Sequence, residues 1–250
     1  MDKFRPIILC IAGMDPSAGA GLLADIKTAE QHHVYALGVS TALTLQTESA
    51  FICIKWQQES EIINSIQKML MHYDVSAVKI GIVNGAAALL NIIVALNNIK
   101  PGIKIIVDPV ISSSTGFNFW SSTNDFETLK EIMHHIYLLT PNFDEMKILS
   151  SGEDAMQHAI SLSHFGNILL KGGHHPDLKG TDHLIIKGEV LAIESASDYT
   201  SEKHGSGCVL STAITSNIAK GQDLIASCTH AKRYIESFLS SNETRLGYHA

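Results

Sequence analysis

The chain has 250 residues, of which 45% are hydrophobic, and it carries a formal net charge of −7. A chain of this length can bury a large core, and we expect a single domain over residues 1–250. The acidic balance and the lack of a dense lysine and arginine stripe disfavour a nucleic-acid surface. Because no apolar run approaches the roughly 18 residues that span a bilayer, the sequence predicts no membrane segment and no membrane partner.

The cysteines and histidines form no recognisable scaffold. The four cysteines are widely scattered and none belongs to a CxxC pair, which is typical of a reducing compartment and predicts a cytoplasmic protein. The 13 histidines include adjacent pairs, but neighbouring residues of a helix point in different directions, and no HExxH motif occurs. The short apolar run near the N-terminus passes directly into a glycine-rich turn, which disfavours a signal peptide.

Strand-like and helix-like segments alternate along the chain, and their hydrophobic periodicity distinguishes them. In chain order, the pattern predicts a strand over 6–13, a helix over 21–33, a strand over 36–46, a helix over 59–73, a strand over 76–81, a helix over 86–98 and a strand over 103–110. It continues with a helix over 126–135, a strand over 136–140, helices over 142–150 and 155–165, a strand over 167–173, a hairpin over 182–195 that turns at Lys187–Gly188, and helices over 206–219 and 223–240. Apolar strands separated by helices predict an α/β fold whose mostly parallel sheet is covered on both faces.

Ligands of such a sheet bind at the carboxyl ends of its strands, so the residues that follow each strand are the candidate site. The first strand is followed by the glycine-rich stretch "AGMDPSAGAG", and the next ends at Gln46. Asp108, Glu145 and Lys171 follow three later strands, and "HGSGC" precedes the first closing helix. We therefore expect these segments to meet at one edge of the sheet.

The glycines indicate close backbone approach to a ligand, but neither common nucleotide-binding motif accounts for them. Five residues separate Gly13 from the next glycine, and no acidic residue lies near Ser40, so the dinucleotide fingerprint is a poor match. A Walker A loop is excluded because the dipeptide Gly-Lys never occurs.

The stretch "HGSGC" is more specific. Gly205, Ser206 and Gly207 can present backbone N–H groups at a helix start, where the helix dipole also favours an anion. A helix N-terminus lowers the pKa of a thiol, so we expect Cys208 to be partly ionised and to serve as a base. The alternative interpretation is a tight glycine turn that leads into a packed helix.

The residues after the other strands suggest phosphate chemistry. Asp108 and Glu145 together are suited to hold Mg²⁺, directly or through water, although each alone also suits a turn or a helix cap. Lys171 leaves an apolar strand beside two glycines, where it can neutralise phosphate oxygens, or simply extend its amine to solvent as an ordinary strand-end lysine.

These segments occur together, and in this order, in a known family. The sequence resembles the hydroxymethylpyrimidine/phosphomethylpyrimidine kinases of thiamine biosynthesis, which belong to the ribokinase-like superfamily. The matching segments are "IAGMDPSAGAGLLADIKT" (11–28), "TALTLQT" (41–47), "VKIGIV" (78–83), "VDPVISSSTG" (107–116), "LLTPNFDEMKIL" (138–149), "LLKGGH" (169–174) and "HGSGCVLSTAI" (204–214).

The resemblance implies a three-layer α/β/α kinase that uses ATP and Mg²⁺. It assigns Gln46 to a hydrogen bond with an aminopyrimidine, Asp25 to a pocket carboxylate beside that ring, and Gly13, Ile82 and Val110 to the frame of the pocket. It places Asp108 and Glu145 near Mg²⁺ and the phosphates, and Lys171 on the nucleotide phosphates. Gly205, Ser206 and Gly207 match the anion hole, and Cys208 matches its base. Because relatives are often dimers, the resemblance also implies a homodimer.

Some positions depart from the commoner family pattern. Met14 stands where serine or threonine is usual, Ala18 where glycine is usual, and Lys203 and Ser206 where threonine is usual.

Two other functions remain open at this point. A pyridoxine or pyridoxal kinase of the same branch would use the same cysteine on another ring alcohol, and a non-catalytic ligand-binding relative would lack turnover.

Overall fold

The computed structural model describes residues 5–112, 116–120, 126–150, 152, 154–174, 180–196 and 202–250. Residues 113–115, within the family-like stretch 107–116, therefore lie outside the described residues. The described helices are α1 (Gly21–Gln31), α2 (Glu59–His72), α3 (Gly85–Ile99), α4 (Phe126–His135), α5 (Phe143–Ser150), α6 (Ala155–Leu162), α7 (Ser206–Ala219) and α8 (Leu224–Leu239). The described strands are β1 (Ile7–Met14), β2 (Tyr35–Gln46), β3 (Phe51–Trp56), β4 (Val75–Ile80), β5 (Lys104–Val107), β6 (Leu138–Leu139), β7 (Asn167–Leu170), β8 (Asp182–Ile186) and β9 (Glu189–Ile193).

The strands form one sheet in the order β3-β2-β1-β4-β5-β6-β7-β8-β9. The six central strands, from β2 to β7, pair in parallel, and the prediction of a mostly parallel sheet is confirmed. The outer strands β3, β8 and β9 pair antiparallel. The predicted hairpin turns at Lys187–Gly188, where both residues have the positive φ angles, 51° and 88°, that such a tight turn requires.

Strand β3 is the main error of the sequence-based prediction, which left Phe51–Trp56 without an element. This edge strand keeps most of its side chains exposed or half-buried, so it lacks the buried apolar run that identified the central strands. The predicted strand over 136–140 is also shorter in the structure, where β6 has only two residues.

Two apolar cores cover the opposite faces of the sheet, and successive residues of β1 contribute to them in turn. Leu9 and Ile11 pack in a core with side chains of α2 to α6, whereas Ile8 and Cys10 pack in a core with α1, α7 and α8. This alternation is the ordinary result of a strand buried on both faces. The expected three-layer α/β/α architecture is confirmed.

Helix α7 contacts β1, β4 and β5, and its N-terminal end lies beside the carboxyl ends of the central strands. Among the helices within the described ranges, none is both long enough and apolar enough to cross a bilayer.

Candidate active site

A lysine and two carboxylates meet at the carboxyl edge of the sheet. Asp108 directly follows β5, Lys171 directly follows β7, and Glu145 lies in the first turn of α5. The Lys171 Nζ atom is 2.7 Å from the Oδ1 atom of Asp108 and 3.7 Å from the Oε2 atom of Glu145. The structure therefore brings together three residues that are distant in sequence, at the edge where the sequence predicted them.

Burial controls the charges of this cluster. Burial raises the pKa of Glu145 to about 7, because the effects of burial and of Asp108 together exceed the opposing effect of Lys171. Burial alone would lower the pKa of Lys171, but the two carboxylates outweigh it and raise that pKa above its ordinary value. Lys171 is therefore a cation at neutral pH. Glu145, with a pKa of about 7, is present there in both its protonated and its ionised form.

Glu145 also closes the start of α5. Its Oε2 atom accepts a hydrogen bond from the Asn142 N–H at 2.7 Å, and the Asn142 Oδ1 atom accepts one from the Glu145 N–H at 2.7 Å. This reciprocal pair is the arrangement of a capping box. The helix-cap interpretation of Glu145 is thus confirmed, and the same carboxylate also faces Lys171.

The start of α7 faces the lysine cluster. Gly205 has a φ of 76°, and a Cβ atom at this position would lie 2.1 Å from the Gly19 carbonyl oxygen, so only glycine fits. A Cβ atom on Gly207 would lie 3.3 Å from the Lys171 Nζ atom and 3.4 Å from the Asp108 Oδ2 atom. The glycines therefore bring the helix N-terminus and its N–H groups close to the Lys171–Asp108 pair, as an anion site requires.

Cys208 lies one residue further along α7, but its thiol does not have the lowered pKa that the sequence predicted. Burial raises the pKa of Cys208 to about 11, and the carboxylates of Asp25 and Asp108 add to this shift. The Lys79 charge and the Gly21 N–H act in the opposite direction without reversing this shift. The expectation of a partly ionised thiol is wrong for the protein in this state, because desolvation outweighs the helix dipole.

Asp25, which the resemblance places beside the pyrimidine ring, forms a buried ion pair in the structure. Its side chain has no exposed surface, and its two oxygens lie 2.9 and 2.8 Å from the Lys79 Nζ atom. The Thr212 hydroxyl donates a further hydrogen bond to Asp25 at 2.8 Å. In this structure Asp25 is thus a buried partner of Lys79, and its place beside the pyrimidine stays a prediction.

Lys79 is a buried residue of the site that was not predicted from the sequence. The signal was present, because a lysine within the apolar strand stretch "VSAVKI" must either reach solvent or find a buried partner. Lys79 is fully buried and its charge affects both Cys208 and Asp25, so it belongs to the electrostatic environment of the site.

The residues that the resemblance assigns to the pyrimidine lie at the ends of β1, β2, β4 and β5. A Cβ atom on Gly13 would lie 2.2 Å from the Ile82 Cδ1 atom, so these two residues are in direct contact. The Val110 N–H donates to the carbonyl oxygen of Asp108 at 2.8 Å. Gln46 is half-buried at the end of β2, and its Nε2 atom donates to the Thr44 hydroxyl at 2.9 Å.

Two departures from the family pattern have visible consequences. Ala18 has a φ of 56°, in the left-handed region where glycine is favoured, which explains why glycine is usual there. Lys203 is buried, and its amine donates to the carbonyl oxygens of Asn242 and Thr244. It therefore fastens the C-terminal segment to the stretch that precedes α7. Nothing in the structure explains Met14 or Ser206.

The donor atoms of the site suit a hard divalent cation bound with a nucleotide. In the described part of the chain, no group of three or more His, Cys, Asp or Glu residues is placed to hold a metal ion alone. Mg²⁺ commonly binds through one or two carboxylates and completes its coordination with phosphate oxygens and water. Asp108 and Glu145 fit that mode.

The sheet order, the two helical layers and the candidate anion site at the carboxyl ends of the strands define a ribokinase-like fold with a site suited to phosphate. The family model described as phosphomethylpyrimidine kinase matches residues 15–250, and the chain belongs to this family. A hydroxymethylpyrimidine/phosphomethylpyrimidine kinase of Rhizobium meliloti is 31% identical over 94% of this chain and 91% of its own length.

Other relatives are longer than this chain. A kinase of the same description from Saccharomyces cerevisiae is 32% identical over 93% of this chain, but the match covers only 45% of the yeast protein. The match to the bifunctional thiamine biosynthesis protein of Methanocaldococcus jannaschii covers 98% of this chain and 56% of that relative, at 30% identity. The chain therefore spans about half the length of these two relatives.

Solved structures agree with the fold. The phosphomethylpyrimidine kinase of Clostridium difficile has a TM-score of 0.77 at 29% identity, with 93% of this chain and 99% of that chain covered. A pyridoxal kinase from Staphylococcus aureus in complex with ADP has a TM-score of 0.82 at 20% identity, with 98% and 92% covered. At that level of identity the second likeness concerns the fold alone.

Proposed function

We propose that the protein transfers the γ-phosphoryl group of ATP to the hydroxymethyl group of 4-amino-5-hydroxymethyl-2-methylpyrimidine, and then phosphorylates the monophosphate to the pyrophosphate. The observation that carries this proposal is the contact of the Lys171–Asp108 pair with the glycine-built start of α7. That arrangement, in a member of the phosphomethylpyrimidine kinase family, is suited to phosphoryl transfer rather than to ligand binding alone.

The residues divide into two groups in this proposal. Lys171 and the N–H groups of residues 205–208 receive the ATP phosphates and stabilise the charge that develops during transfer. Asp108 and Glu145 would hold Mg²⁺, directly or through water, and the metal would supply further neutralisation of phosphate charge. In the second group, which contacts the alcohol substrate, Gln46 binds the aminopyrimidine, and Gly13, Ile82 and Val110 frame its ring.

Cys208 is the proposed base. The substrate hydroxyl oxygen attacks the γ-phosphorus in line, and the bond from that phosphorus to the β,γ-bridging oxygen breaks, so that ADP leaves. The Cys208 thiolate receives the hydroxyl proton. Since the pKa of the thiol is about 11 in the protein without ligands, only a small fraction is ionised at neutral pH. This is compatible with phosphoryl transfer, because the transition state is loose and needs little proton removal at an early stage. We therefore assign most of the rate to positioning and to charge stabilisation by Lys171 and α7.

The test is a panel of alcohols with ATP and Mg²⁺, with product phosphates identified by mass spectrometry. We expect one and then two phosphates on the hydroxymethylpyrimidine. Turnover of pyridoxine or pyridoxal alone would favour the pyridoxal kinase alternative. Binding of ATP without turnover of any alcohol would favour a non-catalytic relative.

We also propose that the protein is a homodimer joined through the outer face of β2 and β3. Leu43 and Leu45 are exposed there at 47% and 53% of their surface, and Leu45 stands directly opposite the exposed Cys53. Contiguous exposed apolar side chains on an edge hairpin are typical of an interface. Sedimentation of the wild type as a dimer and of Leu45→Glu as a folded monomer would support the assignment, and a monomeric wild type would contradict it.

The proposed location is the cytoplasm. All four cysteines are free in the structure, and two of them, Cys10 and Cys228, are buried. Free thiols persist in a reducing compartment. Fractionation of the native host, with the protein detected by antibody, tests this location.

A further inference from the structure

The loop that carries the candidate anion site packs against a second loop from the opposite end of the chain. We call residues 15–21 the glycine loop and residues 203–208 the anion loop. The loops touch at their backbones, since a Cβ atom on Gly205 would lie 2.1 Å from the Gly19 carbonyl oxygen and 2.6 Å from the Ala20 Cα atom. The Gly21 N–H, at the end of the glycine loop, also acts on the Cys208 thiol and opposes the rise of its pKa. The position of Cys208 therefore depends on how the two loops are held together.

A buried pair joins these loops. The His204 Nε2 atom lies 2.9 Å from the Asp15 Oδ2 atom, and the two side chains are only 8% and 1% exposed. The pair connects residues that are 189 positions apart in the sequence. A hydrogen bond with so little solvent around it is stronger than one at the surface, and leaving one partner unpaired there is costly.

Asp15 also organises its own loop. It accepts hydrogen bonds from the N–H and the hydroxyl of Ser17 and from the N–H of Ala20, all within 2.8 to 2.9 Å. Burial alone would raise the pKa of Asp15, but the hydrogen bonds from His204, Ser17 and Ala20 lower it below its ordinary value. The carboxylate is therefore ionised at neutral pH and links the glycine loop to the anion loop.

We propose that Asp15 and His204 are positioning residues, whose buried contact holds the glycine loop against the start of α7 and so aligns Gly21, Cys208 and the anion hole. Neither side chain is assigned a contact with substrate. The proposal rests on the proposed kinase activity for its kinetic consequence, whereas its structural consequence, the joint order of the two loops, is independent of the substrate.

The experiment compares three variants with the wild type. His204→Phe keeps a ring of similar size but removes the hydrogen bond, and His204→Gln restores an amide nitrogen that can reach Asp15. His32→Phe is the matched control, because His32 is a partly buried, hydrogen-bonded histidine at the far end of α1. Each is assayed for kcat and KM, and for hydrogen–deuterium exchange in peptides that cover the two loops, well below its unfolding temperature.

We expect His204→Phe to lower kcat by about 10- to 100-fold, with a smaller change in KM for the alcohol, since small misplacements of catalytic groups have effects of that order. Exchange in both loops should rise together by about tenfold or more, as local opening becomes easier. His204→Gln should recover most of both properties, and His32→Phe should change neither. If His204→Phe keeps wild-type exchange in both loops, the positioning role is overturned, even if no alcohol is found to be a substrate. If His204→Phe alters hydrogen–deuterium exchange in the glycine loop but leaves kcat unchanged, the proposed effect of the pair on catalysis is overturned.

Discussion

Lys171 and Asp108 form a close ion pair, 2.7 Å between Nζ and Oδ1, across the carboxyl ends of β7 and β5. The two residues are 63 positions apart in sequence and are joined only because β5, β6 and β7 are parallel neighbours. The start of α7 lies against the same pair. The Lys171 ammonium, which lies beside a helix N-terminus, can exchange its carboxylate partner for phosphate oxygens without a large movement of the chain.

Lys171→Met should remove the main positive charge of the site while keeping the length of the side chain. We expect turnover to fall by roughly 10²- to 10³-fold, the usual effect of removing one strong stabiliser of transition-state charge. The KM for ATP should also rise. Steady-state kinetics test both, with Lys100→Met as the control, because Lys100 forms an ion pair with the exposed Asp74 away from the site. Near-wild-type turnover in Lys171→Met would show that Lys171 does not stabilise the transition state.

The high pKa of Cys208 predicts a characteristic reactivity. Because its pKa is about 11, the thiolate fraction should increase by nearly tenfold per pH unit between pH 7 and 10. Alkylation of Cys208 by iodoacetamide, followed by mass spectrometry of its peptide, should follow this slope. A rate that levels off near pH 7 would instead indicate the lowered pKa expected from the helix start alone.

Cys208→Ala should lower turnover by roughly 10²-fold or more if the thiolate is a positioned base. The loss should be smaller than in Lys171→Met if proton removal is late in the reaction. The wild-type turnover should rise with pH from 6 to 10 as the thiolate fraction grows, and Cys208→Ala should lack this rise. A fully active and folded Cys208→Ala protein would reduce the cysteine to a packing role.

Gln46→Leu should affect the alcohol and spare the nucleotide. An amide can both donate to and accept from an aminopyrimidine, and loss of either bond costs on the order of 1–3 kcal/mol when the partner stays buried. We expect the KM for the pyrimidine to rise and the KM for ATP to remain unchanged. Gln67→Leu, on the exposed face of α2, is the control. An unchanged pyrimidine KM in Gln46→Leu would show that the side chain faces elsewhere.

Asp25→Asn should destabilise the protein, because it leaves the fully buried Lys79 without its charged partner. Breaking a buried ion pair from one side typically costs about 3–5 kcal/mol. Urea unfolding followed by circular dichroism measures the effect, and Asp74→Asn at the exposed pair with Lys100 should leave the midpoint unchanged. Equal midpoints for the Asp25 and Asp74 variants would contradict the assigned role of the Asp25–Lys79 pair.

Much of the fold follows from the sequence, because strand and helix periodicity is local. The central parallel strands, the hairpin at Lys187–Gly188 and the closing helices were all predicted. Asp108, Glu145 and Lys171 also meet at the carboxyl ends of the strands, as the sequence predicted. The edge strand β3 was not predicted, since an exposed strand has no buried apolar run to mark it.

What the sequence by itself determined is the order of chemical groups at the strand ends: the glycine loop, Gln46, Asp108, Lys171 and the anion loop with Cys208. Only the tertiary structure decided how those groups are charged and paired. The proton affinity of Cys208 and the pairing of Asp25 with Lys79 depend on burial and on neighbours that are distant in the chain. Electrostatic energies depend on the distance between charges and on the water excluded around them, and neither quantity exists until the layers have packed.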